Sequence, residues 1–513
     1  MRDQTNTLRS TTIWLGFIAM CVGMFMAILD VQVVATSITA IQSSVGIEPD
    51  RLSWLQTAYL IAEVIAIPLT GYLTRLLTGR WLFVIAVTLF CVASIGCAAS
   101  SNFESLVIWR VLQGFAGGTL IPSVFSAVFV LFPARSQGRA TTLAGLLAVL
   151  APTVGPIVGG WITETYSWHW LFLINVAPGI VAGFVAALFL PKDEPNPAVL
   201  GTLDWLSLVM LAIALASLQL GLKQAPDEGW ASPLVLVLLA VTIICAYGFA
   251  LRSLAADRPI VDLSTLGDRP FLVGCILSFV LGIGLFGSVY LMPVFLGFVR
   301  GHNALEIGSI MLVTGLAQLA TAPLAVYLEQ RFDPRILIGA GFALFALGMS
   351  ASAFQTVSTD AAQMVVPQIL RGVAIMFCLL PPTRLALGSL PREKVPDASG
   401  LFNLMRNLGG AIGLAIIDSI IYGRSDVHSQ YIIGKLMEGD AITATSIGIP
   451  AGLFTAAQSG SFDQANQALV APFVQKAAIT MSINEAWAFV AVLTVLALAL
   501  LPLAQREKTS VDG

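Results

Sequence analysis

Apolar runs of about 20 residues, separated by short polar breaks, fill most of this 513-residue chain. Helices of that length span roughly 30 Å of hydrocarbon at 1.5 Å per residue. The pattern predicts fourteen of them, at 13–38, 53–74, 81–99, 104–130, 140–162, 168–190, 201–222, 232–251, 270–294, 304–327, 336–355, 360–388, 400–423 and 484–503. The first follows Arg2 and Arg9, as a signal peptide would. Its length, its intramembrane Asp30 and the thirteen runs behind it favour an uncleaved helix. The expected fold class is an all-α polytopic membrane protein.

Composition narrows the chemistry. The chain is 57% hydrophobic and 11% charged, with a mean hydropathy of +0.87, so lipid must be the solvent for much of its surface. A net charge of -3 offers no field for nucleic acid. Three histidines and six cysteines (Cys21, Cys91, Cys97, Cys245, Cys275, Cys378) show neither C-x-x-C nor H-x-x-x-H spacing. The lack of such spacing disfavours a metal site, and because all six cysteines fall inside apolar runs a disulfide framework is disfavoured too. The absence of G-x-x-x-x-G-K-[ST] argues against ATP as energy source.

Loop charges set the orientation. With the N-terminus inside, Arg2, Arg9, Arg75, Arg80, Arg135, Arg139, Lys192, Arg252, Arg258, Arg269, Arg331, Arg335, Arg392, Lys394, Arg506 and Lys508 are cytoplasmic. The short outer loops hold only Arg51, Lys223 and Arg300. Both termini are therefore expected in the cytoplasm.

An internal repeat organises the helices. At an offset of 255, Pro68, Leu69, Tyr72, Leu73, Arg80, Leu89 and Phe90 recur as Pro323, Leu324, Tyr327, Leu328, Arg335, Leu344 and Phe345. Gly145, Leu146 and Gly155 recur as Gly400, Leu401 and Gly410. Residues 1–190 thus form one six-helix half and 267–513 another, in parallel orientation. Residues 191–266 supply a linker and two inserted helices. Transporters built from parallel repeats hold substrate between the halves.

At this point the sequence resembles the major facilitator superfamily, and within it the fourteen-span drug:proton antiporters of the EmrB/QacA-like branch. The resemblance rests on LDVQVVATSI around Asp30, RVLQGFAGG from Arg110, APTVGPIVGGWI from Ala151, WHWLFLINVAPG from Trp168, PIVDLSTLGDRPF from Pro259 and NLMRNLGGAIG from Asn403. It implies a bacterial inner-membrane exporter of hydrophobic or amphipathic compounds, driven by the proton gradient without a cofactor.

Charges inside the membrane are costly, so each needs a reason. Asp30 lies roughly 12 Å deep, Glu63 near 15 Å and Arg110 near 9 Å, counting 1.5 Å per residue from the expected span ends. Three helices of one half can bring them together, as a proton relay or as a structural ion pair. The resemblance ties Asp30 and Arg110 to proton coupling. In the other half Arg371 and Gln368 echo Arg110 and Gln113 with the residue types exchanged. They and Arg406 are candidates for the cavity wall or a helix interface. Asp418, near an outer helix end, is expected to be solvated.

Pro152, Gly155, Pro156, Gly159 and Gly160 make the fifth run bendable and smooth-faced, suited to a moving seam between halves or to close packing alone. The resemblance makes this an antiporter motif. Gly114, Gly117 and Gly118 have the same two readings. The loop GYLTRLLTGRWLF resembles the superfamily's cytoplasmic motif through Gly71 and Arg80. Arg75 replaces its usual acid, and its later glycine is displaced to Gly79. The usual latch is then in doubt, and Arg75 and Arg80 can be read as topology signals.

Two rival functions remain, an importer of a small polar metabolite and a non-transporting membrane scaffold. Mostly aliphatic helices disfavour the first, and the repeat with its buried charges the second. The outer segment 424–483 is long for a connection. Leu469, Val470, Phe473, Val474, Ala477, Ala478 and Met481 predict an amphipathic helix there, bent or interrupted at Pro472. Such a helix must rest on its own transporter, the headgroup layer or another protein. The resemblance suggests a periplasmic adaptor leading to an outer-membrane channel.

Overall fold

The computed structural model describes residues 2–36, 54–256, 259–450 and 464–503, with residues 41, 44, 45 and 454 between them. Arg51, Arg258, Arg506 and Lys508 of the charge pattern lie outside the described residues, as do 451–453 and 455–463 of the outer segment. All regular structure among the described residues is helical. Among the described residues, twelve helices are long and apolar enough to cross a membrane, or up to thirteen if a bent helix is counted as one crossing.

The first half comprises α1 (Arg2–Thr36), α2 (Trp54–Ala98), α3 (Phe103–Leu131), α4 (Ala134–Thr165), the short α5 (His169–Leu173) and α6 (Val176–Phe189). The inserted helices are α7 (Trp205–Glu228) and α8 (Pro233–Ala255). The second half comprises α9 (Arg269–Val294), α10 (Ala304–Glu329), α11 (Pro334–Ser352), α12 (Ala361–Leu387), α13 (Val395–Met437), the short α14 (Ala441–Ser446) and α15 (Gln464–Ala497).

Two expected helices, 53–74 and 81–99, are one 45-residue element, α2. It is not straight. Arg110 Nε donates to Leu55 O at 3.2 Å, and the adjoining Gln113 Nε2 donates to Ser94 Oγ at 2.9 Å. A straight helix would put Leu55 and Ser94 about 58 Å apart. The chain therefore reverses on itself, and the break is at Thr78, with φ 73 and ψ 159. That region is almost reserved for glycine, yet Gly79 comes one residue too late to occupy it.

One buried cluster lies within the second half, while another joins the first half to the inserted helices and to Phe271, Leu401 and Phe402 of the second. Phe17, Tyr59, Phe83, Phe90 and Phe125 anchor the joining cluster from the first half. Phe342, Phe345, Ile375 and Trp487 anchor the cluster within the second. The inserted pair is joined by Ser217 and Thr242 hydroxyls at 2.9 Å, while only 11% of the apolar window of α8 is buried. Its remaining surface suits lipid.

The end of the chain departs from expectation. The last helix was expected at 484–503, but α15 begins at Gln464 and passes through Pro472 without a break. Helix α13 likewise runs on to Met437. Beyond the crossing region the two pack together through Ile432, Leu436, Val470, Val474, Ala477 and Ala478. The outer amphipathic helix therefore rests on its own chain. Neighbouring helices can offset the backbone bond that a proline loses, which explains why Pro472 does not interrupt. At the root of this hairpin Glu485 accepts from Arg424 Nε at 2.8 Å and lies 3.0 Å from His428 Nε2.

Candidate functional site

Asp30 and Arg110 are brought together. Both side chains are fully buried, and Arg110 Nη1 donates to Asp30 Oδ2 at 2.5 Å. Two more donors converge on the other carboxylate oxygen: Gln113 Nε2 at 2.9 Å and Asn175 Nδ2 at 2.8 Å. An ionised carboxylate can accept all of these, and a charge-assisted set of this kind offsets part of its desolvation. Gln113 also accepts from Arg110 Nη1 at 2.7 Å. The Arg110 guanidinium lies 4.3 Å from the centre of the Tyr59 ring. The close approach of α2 and α3 that permits this depends on Gly114 and Gly118, where any Cβ would collide with the carbonyls of Tyr59 and Glu63.

Glu63 is also buried, within electrostatic reach of Arg110 and Asp30. It makes no side-chain hydrogen bond to either among the described residues. Arg110 Nη2, meanwhile, is buried without an acceptor. The expected trio is thus a tight pair with a third member standing by. Asn175, Ser94 and Tyr59 were not singled out from sequence. Asn175 had a visible signal, an amide within the apolar WHWLFLINVAPG segment.

The second half repeats the packing without the acids. Gly372 abuts the carbonyl of Thr314 as Gly114 abuts that of Tyr59. Glu63 corresponds to Gln318 at the 255 offset, and Gln318 is fully buried with neither amide atom partnered. Arg371 donates to Ser352 Oγ at 3.2 Å and lies 4.6 Å from the Trp487 ring centre. Gln368 Oε1 accepts from Thr314 at 3.2 Å. Arg406 donates to Asn403 Oδ1 and faces Phe125 of the first half at 5.3 Å. Neither Arg371 nor Arg406 has a carboxylate partner among the described residues. Asp418, expected to be solvated, is half-buried beside Tyr290, with one carboxylate oxygen fully enclosed.

Helix α4 lies on the seam. It bends by 46° between 134–152 and 154–165, where Pro152 and Pro156 withdraw backbone donors. Gly145 faces Leu379 and Met376 of α12, Ile157 faces Gly308 of α10, and Gly155 faces Gln32 of α1. Gly159 is buried and Gly160 half-buried.

Arg75 has more than a topological role. It pairs with Asp397 at the start of α13 and donates to Pro259 O at 3.0 Å. This ion pair ties α2 to α13, so Arg75 has an acidic partner although it stands where the resemblance expects an acid. Gly71 gives Asp397 its space, because a Cβ there would overlap the carboxylate. Arg80 instead lies 5.2 Å from the Trp81 ring and borders a cavity of about 270 Å³ with Met20, Ser126, Leu190 and Glu393. Gly79 has open space about it.

Residues 20–414 match the Major Facilitator Superfamily. The chain is 39% identical over 422 residues to the colistin resistance protein EmrB of Acinetobacter baumannii, covering 82% of each. It is 31% identical over 414 residues to the multidrug export protein EmrB of Haemophilus influenzae, covering 80% of this chain and 81% of that one. Among solved structures, the proton:xylose symporter XylE superposes with a TM-score of 0.59 over 96% of this chain and 95% of that one. At 14% identity that is a likeness of fold alone.

Proposed function

The chain belongs to the major facilitator superfamily, and from that premise we propose that it is a proton-coupled exporter of hydrophobic or amphipathic compounds in the bacterial inner membrane. It is a transporter rather than an enzyme. The relatives named for multidrug export and colistin resistance support the substrate class. The Asp30–Arg110 pair, buried and surrounded by fixed donors, carries the coupling.

In this reading Asp30 carries the proton in one conformation and, once ionised, pairs with Arg110 in the other. When Asp30 is protonated, its bond to Arg110 weakens, and the unfilled Nη2 can take Glu63 as its acceptor. Proton and drug then bias one two-state equilibrium in opposite directions. Gln113, Gln368, Arg371 and Arg406 line or brace the path between halves, and the bend at Pro152 and Pro156 lets them rock. Arg75 and Asp397 hold the cytoplasmic side closed. Fourteen crossings follow from counting α2 as two and bent α4 as one, with both termini cytoplasmic. Residues 1–190 and 267–513 move as the two halves, 191–266 riding with them. No cofactor takes part, and the outer hairpin meets a periplasmic adaptor that leads to an outer-membrane channel.

The test is drug-induced proton release from acid-loaded inverted vesicles, with a protonophore as control. Drug accumulation that persists after the gradient collapses would sink the proposal. So would proton leakage indifferent to drug.

A further inference from the structure

The second half has its own solvent-facing cavity, of about 240 Å³, beside the ends of α11 and α12. Arg371 is at its inner wall, only 3% exposed. Shifting by 258 carries Ser94 onto Ser352 and Gln113 onto Arg371, and the hydrogen bond carries over too: Gln113 reaches Ser94, Arg371 reaches Ser352. In the first half that side chain also meets Asp30, on the half's first helix. In the second half the first helix, α9, offers Met292, whose sulfur is 3.5 Å from Arg371 Nη2. A permanent cation thus replaces a neutral amide, and the carboxylate facing it is gone.

An arginine stays charged under any physiological condition, and a buried charge without a counter-charge is strongly disfavoured. The Trp487 ring offsets part of that cost. Two more donors near Arg371 lack acceptors, Trp487 Nε1 and Gln368 Nε2. The cavity wall carries hydroxyls from Thr356 and Thr359, and no acidic side chain lines it.

We propose that this cavity binds a compact monoanionic group against Arg371, supplying from solution the negative charge that Asp30 supplies in the first half. Both a halide and the carboxylate head of a small amphipathic solute have this chemistry. The site is reached from the end opposite the Arg75–Asp397 latch and lies apart from the Asp30 cluster.

The test is thermal melting of the purified full-length protein at constant ionic strength, with gluconate replaced stepwise by chloride, acetate, propionate or butyrate. A ligand that binds only the folded state raises the melting temperature along a saturable curve. The expected result is such a curve for chloride or for the carboxylates, with apparent affinity reduced by at least about tenfold in Arg371→Gln, which removes the charge-assisted bonds. Arg371→Lys keeps the charge and weakens binding less. Chloride binding more tightly than every carboxylate identifies an inorganic ion. Affinity that rises from acetate to butyrate identifies a carboxylate-headed solute. A wild-type melting temperature indifferent to all four anions overturns the proposal, even if no variant can be purified. So does an unchanged curve in Arg371→Gln.

Discussion

At the scale of single residues, the site was legible where chemistry is expensive and silent where it is cheap. Asp30 and Arg110 stand out because a charge in an apolar run requires a reason. Asn175 and Ser94 do not, because neutral polar groups are common in such helices and cost little until their partners are known. The pair predicts two distinct mutant behaviours. Asp30→Asn keeps the shape and removes the exchangeable proton, so drug-coupled proton movement in vesicles should vanish while expression stays normal. Full pH-gradient-dependent export by that variant would end the coupling assignment. Arg110→Lys keeps the charge but loses the fork that spans Asp30, Gln113 and Leu55, so transport should fall by at least about tenfold. Lysine supporting normal rates would reduce Arg110 to simple charge balance. Thr78 gives a prediction of the opposite sign. Its backbone conformation costs about 1–3 kcal/mol in a residue other than glycine. Thr78→Gly should therefore raise the melting temperature, by about 1 kcal/mol of net stability after the chain entropy that glycine adds.

At the scale of elements, apolar run length located the helices well and their ends poorly. Two runs merged in α2 because the reversal at Thr78 is so tight that little chain separates its limbs. The beginning of α15 was missed because Pro472 reads as a breaker in isolation, whereas α13 packs alongside it. Contacts between distant helices are invisible to periodicity. The outer hairpin has its own apolar seam, from Ile432 and Leu436 to Val470 and Val474, and is rooted by Arg424, His428 and Glu485. Its two arms continue α13 and α15 beyond the crossing region. Deleting 428–478 should leave proton–drug exchange in vesicles within about twofold of wild type, since the removed helices share few core residues with the transport path. Resistance of whole cells should disappear. Loss of both activities in a correctly inserted protein would make the hairpin part of the transporter, and loss of neither would remove the docking role.

At the scale of the whole molecule, the 255-residue repeat revealed two equivalent halves before any contact was known. It could not reveal how they lock. Arg75 and Asp397 are 322 positions apart, and the motif's inverted charge made Arg75 look unpartnered. The pair is mostly buried on its acidic side, with the Asp397 side chain 7% exposed. Breaking such a pair from one side is more harmful than exchanging both partners. Arg75→Asp and Asp397→Arg should each lower export by about tenfold or more, and the double exchange should recover a substantial part. Single and double variants with equal losses would show that the two charges act independently. One further consequence follows from the length of α13. Its 43 residues make a rod of about 65 Å, with Asp397 near one end and the root and rising arm of the outer hairpin toward the other. A rigid rod is a lever. If the second half tilts by roughly 15°, as rotating subunits do elsewhere, an end about 32 Å from the pivot sweeps about 8 Å. Whatever touches the hairpin would feel each transport cycle as a displacement larger than a helical turn, and opening the Arg75–Asp397 contact would be mechanically reported at the other end of the rod.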